Sequence, residues 1–202
     1  VNKHTFKTKE GETMSNVPDP NKIYSYADWK TWEGRWELIN GKPYNMTPAP
    51  SSEHQFVVGE LYFALRHFFQ NKHCYVFTAP FDVFLSKNET YEPPDDIVQP
   101  DIAVICNKNQ IVKKGCYGSP TLVVEVLSPS TALKDYNEKF YIYQHYRITE
   151  YWIVDTANKM IHVYHLQEDA YQRHATYGQQ DTLHSPQFEG LAIPLKYVFA
   201  WS

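Results

Sequence analysis

The chain has 202 residues and a mass of 23.7 kDa, is 43% hydrophobic and 21% charged, and carries a formal net charge of -4. That length suits one soluble domain, burying roughly 70% of its extended surface without staples, and the acidic balance excludes a global basic field, so any nucleic-acid contact is local. No apolar run approaches membrane-spanning length and the first residues lack a signal-type apolar stretch, so a cytoplasmic, soluble protein is expected.

Residues 1–22 are polar, contain Pro18 and Pro20 and show no periodicity. They predict a flexible tail ahead of a single domain over 23–202. Ser25 and Asp28 suit the cap of a short helix carrying Trp29 and Trp32. Asn40-Gly41 separates 36–39 from 42–46, and this dipeptide accepts the positive φ that both central positions of a tight hairpin need. After Pro48 and Pro50, Ser52 and Gln55 form a capping box for a helix reaching about residue 71. Val57, Val58, Leu61, Leu65 and Phe68 recur along it at spacings of three and four. A long strand is predicted over 75–85, with Asp82 facing away from its more regular apolar side, followed by a polar loop over 86–99.

The runs 101–106 and 121–127 lack alternation and predict strands covered on both faces. Lys108, Lys113 and Lys114 lie in the polar connection between them, where a solvated loop explains them more simply than phosphate contact. A helix is predicted over about 133–146, a strand over 150–155, and a hairpin from 160–166 and 171–177. The apolar segment 183–199 packs back irregularly. Sixteen Tyr and five Trp fit sheet packing and a homodimer interface more simply than the alternative, stacking on nucleic-acid bases. Cys74, Cys106 and Cys116 are odd in number and lack paired-motif spacing, which predicts buried free thiols in a reducing compartment.

Two acids stand out. Asp101 opens one buried run and Glu125 lies inside the other, and an unpartnered carboxylate among Leu and Val is costly to bury. Mg²⁺ or Mn²⁺ takes oxygen ligands of this kind and activates water at a phosphoryl group. The bland reading is a solvated acid at each strand end. Asp135, Lys139 and Tyr143 share one helix face, which either is a helix-stabilising pair or sets Lys139 over the acids as a cation for water or phosphate.

Asp101, then Glu125-Val126-Leu127-Ser128-Pro129-Ser130-Thr131, then Asp135, Lys139 and Tyr143, then Glu150-Tyr151-Trp152-Ile153-Val154-Asp155 resemble the putative restriction endonuclease family. This bacterial family is expanded in cyanobacteria and lies within the PD-(D/E)XK nuclease superfamily. Glu37-Leu38-Ile39-Asn40-Gly41, the Pro-rich approach to His54, Ser185-Pro186, Phe188 and Gly190-Leu191 extend the resemblance over about 25–199. It implies an α/β (α+β) fold with a restriction-endonuclease-like core, a central mixed β-sheet flanked by helices, and Mg²⁺- or Mn²⁺-dependent cleavage of DNA. Asp101 and Glu125 match the metal-binding acids. Leu127 stands where the wider superfamily has lysine, and Lys139 is the candidate replacement. Tyr146-Arg147-Ile148 stands where the family often has a glycine. His54 joins the catalytic candidates, and Asp82, Glu60 and Glu37 are candidates for a third carboxylate. A catalytically silent binding module of the same fold would instead pair Glu125 with Lys139 and cap Asp101 with backbone N–H groups.

Overall fold

The computed structural model describes residues 17–47, 49–87, 93–128 and 134–201. The predicted tail up to residue 16, Pro48, part of the polar loop at 88–92 and the Pro129-Ser130-Thr131 piece of the motif lie outside the described residues. Two six-stranded sheets organise the chain. Helix α1 (Tyr26–Trp29) begins with a reciprocal Ser25–Asp28 capping box. Strands β1 (Trp36–Ile39) and β2 (Lys42–Asn45) form the expected hairpin, with φ of 50° at Asn40 and 74° at Gly41. Helix α2 (Ser52–Phe68) is capped one residue earlier than predicted: Ser51 Oγ accepts from His54 N.

The strand predicted over 75–85 is two strands. Strands β3 (Tyr75–Thr78) and β4 (Asp82–Leu85) join different sheets. The break falls at Ala79-Pro80, where proline has no N–H to give a ladder. The predicted polar loop contains β5 (Asp96–Val98), which pairs with both β4 and β1. Strand β6 (Ile102–Ile105) leads through a short 3₁₀ turn to β7 (Ile111–Val112) and β8 (Gly115–Tyr117), so the lysine-bearing connection is partly sheet. Strand β9 (Leu122–Val126) is buried throughout.

A π-helical segment (Asp135–Lys139) continues into α3 (Phe140–His145). Arg147 follows with φ 59°, so the turn keeps the left-handed backbone that glycine favours. Its guanidinium is held by Glu168 O and Asp169. Strands β10 (Glu150–Asp155), β11 (Met160–Gln167) and β12 (Ala170–Gly178) complete the larger sheet. The tail is more regular than expected, containing a ribbon of β13 (Thr182–His184) and β14 (Ala192–Pro194) and a final turn of helix, α4 (Leu195–Val198).

The larger sheet runs β12-β11-β10-β9-β6-β3, with only β9–β10 parallel. It is a central mixed sheet with helices on both faces. On one face, Val57, Leu61 and Leu65 of α2 pack with Val104, Val124 and Trp152. On the other, Ile142 and Tyr143 of α3 meet Val123, Ile153 and residues of the smaller sheet such as Val83 and Val98. Burial on both sides accounts for the missing alternation in β6 and β9. No described helix is long and apolar enough to cross a membrane.

Cys74 and Cys106 form a disulfide, correcting the expectation of free thiols. Each sits one place beyond the Tyr75–Ile105 pair of adjacent antiparallel strands, so pairing across the ladder, not sequence spacing, brings them together. Cys116 is free and buried.

Candidate functional site

The site lies where β1 of the smaller sheet, β6 and β9 of the larger one and the π-helical segment converge. Ile102 pairs with Val124 in the β6–β9 ladder. Extending that antiparallel register by one place sets Asp101, just before β6, opposite Glu125. Like charges directly opposite are destabilising unless a counter-charge joins them. Asp101 Oδ2 accepts from Val126 N at 2.7 Å and lies 3.3 Å from His54 Nε2.

Glu125 Oε1 accepts from Lys139 Nζ at 2.7 Å and Tyr143 OH at 2.6 Å. The same ammonium is 2.8 Å from Glu37 Oε1 and 3.9 Å from Asp135 Oδ1. Glu37 also pairs with Lys134 Nζ at 2.7 Å through Oε2 and accepts from Gln99 N at 2.8 Å. Gln99 Nε2 donates to Asp82 Oδ1 at 2.7 Å. Glu37 is 0% and Lys139 1% exposed, so the pair sits in low dielectric, where a lost partner is expensive.

The ionisations follow from these neighbours. Burial, reinforced by the charges of Asp135, Asp101 and Glu37, pushes the Glu125 carboxyl up to about 8 against the pull of Lys139. Glu37 suffers the same burial, but Lys139 and Lys134 together hold it below the ordinary carboxylate range. Lys139 is likewise buried, and Glu125, Glu37 and Asp135 hold it well above the usual amine value. Burial works against the His54 imidazolium, whereas its bond to Asp101 and the Asp101 charge outweigh that and raise it. Burial raises Asp82. Three acids, Glu37, Glu125 and Asp135, thus share the Lys139 ammonium, Lys134 adds a second cation at Glu37, and Asp101 is partnered by His54.

The structure therefore gathers Asp101, Glu125, Lys139, His54, Glu37, Asp135 and Tyr143, with Asp82 linked through Gln99. Glu60 is not among them; it lines a separate groove between α2 and the C-terminal segment with Phe63 and Leu191. Lys134 and Gln99 were missed by sequence reasoning. Glu37 deserved more weight, because it is the one charged residue in the apolar run Trp36–Ile39.

The donor set suits a hard divalent ion. Asp101 Oδ1 and Glu125 Oε2 accept no hydrogen bond among the described residues. His54 Nδ1 is buried without a hydrogen-bond partner among them. Oxygen ligands of this kind, completed by water and phosphate, fit Mg²⁺ or Mn²⁺. A second set, His73, Cys74 and Cys106, brings ligand atoms within 4.8 Å of one another. Its chemistry is that of a softer metal such as zinc, and both sulfurs are joined to each other.

The family model "Uma2: Putative restriction endonuclease" matches residues 24–196. The chain belongs to this family. Uma2, also called DUF820, is part of the PD-(D/E)XK-like nuclease superfamily. A crystal structure described as a putative nuclease belonging to DUF820, from Anabaena variabilis, superposes with a TM-score of 0.71 over 88% of this chain and 98% of that one, at 17% identity. That likeness establishes the restriction-endonuclease-like fold. An uncharacterized protein of Synechocystis sp., slr1290, is 37% identical over 71 residues, which are 35% of this chain and 37% of that relative's length.

Proposed function

We propose that this Uma2 protein is a divalent-metal-dependent endonuclease that hydrolyses phosphodiester bonds in DNA. The observation that carries the reading is the opposed pair Asp101–Glu125, each with a carboxylate oxygen left over after its protein contacts. Asp101 and Glu125 would hold Mg²⁺ or Mn²⁺, which when bound lowers the pKa of water and neutralises charge on the phosphate.

The protein groups supply the rest. Lys139 would take the part of the lysine missing at Leu127, its ammonium fixed by Glu37 and Glu125. From there it orients the attacking water or donates to a phosphate oxygen. Lys134 and Gln99 fix Glu37 in turn, which keeps Lys139 from wandering. His54 holds a proton against Asp101 and steadies that carboxylate.

A silent binding module is the second reading, and one observation favours it: Lys139 already pairs with Glu125, and Val126 N–H already caps Asp101. Calorimetric titration with Mn²⁺ together with a plasmid-nicking assay separates the two. The hydrolytic reading expects wild-type binding and nicking, both lost in folded Asp101→Ala. Unchanged Mn²⁺ binding in that variant, or none in the wild type, leaves the silent module.

A further inference from the structure

A cleft of about 490 Å³ opens between the N-terminal aromatic segment and the turn joining β7 to β8. Three partly buried indoles, Trp29, Trp32 and Trp36, line it. Trp29 Nε1 donates to Trp36 O at 2.8 Å and Trp36 Nε1 to Glu33 O at 2.7 Å. The polar edges of those two rings are thus satisfied inside the protein, and what remains for a ligand is the apolar ring surface not packed against Tyr24, Tyr26 and Phe84. The cleft volume lies within the range that small organic ligands occupy.

Cations line the same cleft. Lys113 and Lys114 are the exposed turn between β7 and β8 and make no ion pair among the described residues. Gly115 brings that turn in. At its φ of +150°, a Cβ would stand 2.1 Å from Asp82 O, so only glycine lets β8 lie against β4 here. Asp82 is the one carboxylate lining the cleft among the described residues, and it accepts from Gln99 Nε2. Gln99 Oε1 accepts from Arg35, which also lines the cleft, while Gln99 N donates to Glu37. One residue therefore runs from the cleft to the carboxylate cluster.

We propose that this cleft binds single-stranded DNA, with a base stacked on an indole and flanking phosphates held by Lys113 and Lys114. Flat apolar rings beside free ammonium groups match unpaired bases on a polyanion. A duplex keeps its base faces in the stack and offers the indoles nothing. The charge is local, as it must be in a chain of net charge -4. The proposal deepens the hydrolytic reading and rests on it for where the strand leads; the binding step itself does not need the metal.

The test is quenching of intrinsic tryptophan fluorescence in the full chain, in EDTA, by an oligothymidylate and by a duplex of equal length. The single strand is expected to quench and to bind more tightly than the duplex. Lys113→Ala/Lys114→Ala should lower the slope of log affinity against log salt by about 1.4, at ~0.7 per phosphate contact. Trp32→Ala should weaken binding by roughly 5- to 150-fold; the lysine variant, altered only in an exposed turn, decides the matter if that protein misfolds. Absence of quenching, preference for duplex, or an unchanged salt slope in the lysine variant overturns the proposal. Strand binding lost while Mn²⁺ binding and nicking persist removes the cleft alone, whereas strand binding kept without Mn²⁺ binding removes the hydrolytic reading alone.

Discussion

The Lys139 ammonium lies 2.8 Å from Glu37 Oε1 and so fastens the helical segment after β9 to a strand of the other sheet. Both groups are buried, and Glu37 has Lys134 and Gln99 N–H as further partners. Replacing Glu37 with Ala strands the Lys134 ammonium and the Gln99 amide, and leaves Lys139 to Glu125 and the more distant Asp135. The expected cost is about 3–5 kcal/mol, since breaking one side of a buried pair leaves its partner uncompensated. Urea denaturation measures it; a loss below about 1 kcal/mol would mean that water replaces the carboxylate.

Lys139→Met keeps much of the side chain's apolar length and removes the charge. Cleavage is expected to fall at least ~100-fold, the loss typical of removing one electrostatic donor, while Mn²⁺ binding survives. Single-turnover nicking and calorimetry on the same protein read the two effects separately. Retained turnover would send the cation's role elsewhere.

Glu150 gives a pH signature away from the site. It is buried at the start of β10 and accepts from Trp152 Nε1, Ser185 Oγ and Gln187 N. Burial outweighs those bonds and raises its carboxyl to about 7. The folded chain then holds this proton more tightly than the unfolded chain, so stability falls as pH rises from about 4.5 to about 7 and levels off above. Glu150→Gln should flatten that window, by an amount on the order of 3 kcal/mol, in denaturation midpoints taken at several pH values.

Much of the fold is legible in the sequence, because local chemistry decides it. The Asn40-Gly41 turn, the α2 stripe and the two unalternating runs each occur within a few residues of where their patterns point. What sequence missed depends on contacts between segments far apart in the chain. Pro80 diverts β4 into the second sheet, and that diversion is what lets β5 and β1 carry Glu37 to Lys139. The opposition of Asp101 and Glu125 is a matter of register, which no single segment fixes. Lys134 carried no signal at all, being one more polar residue at a helix start.

The Cys74–Cys106 bond closes a loop across 32 positions. Loop-closure entropy suggests that reduction costs roughly 3–4 kcal/mol. Urea melts with and without a phosphine reductant measure this. Alkylation of the folded, unreduced chain should leave all three cysteines unmodified, since Cys116 is free but buried.

Anomalous scattering from crystals soaked in Mn²⁺ addresses the acid pair itself. A peak bonded to Asp101 and Glu125, with the Lys139 ammonium still held by Glu37, is the expected result. A map with no peak at the acids, and Lys139 still 2.7 Å from Glu125, would contradict the metal-dependent reading and leave a Uma2 fold that binds without cutting.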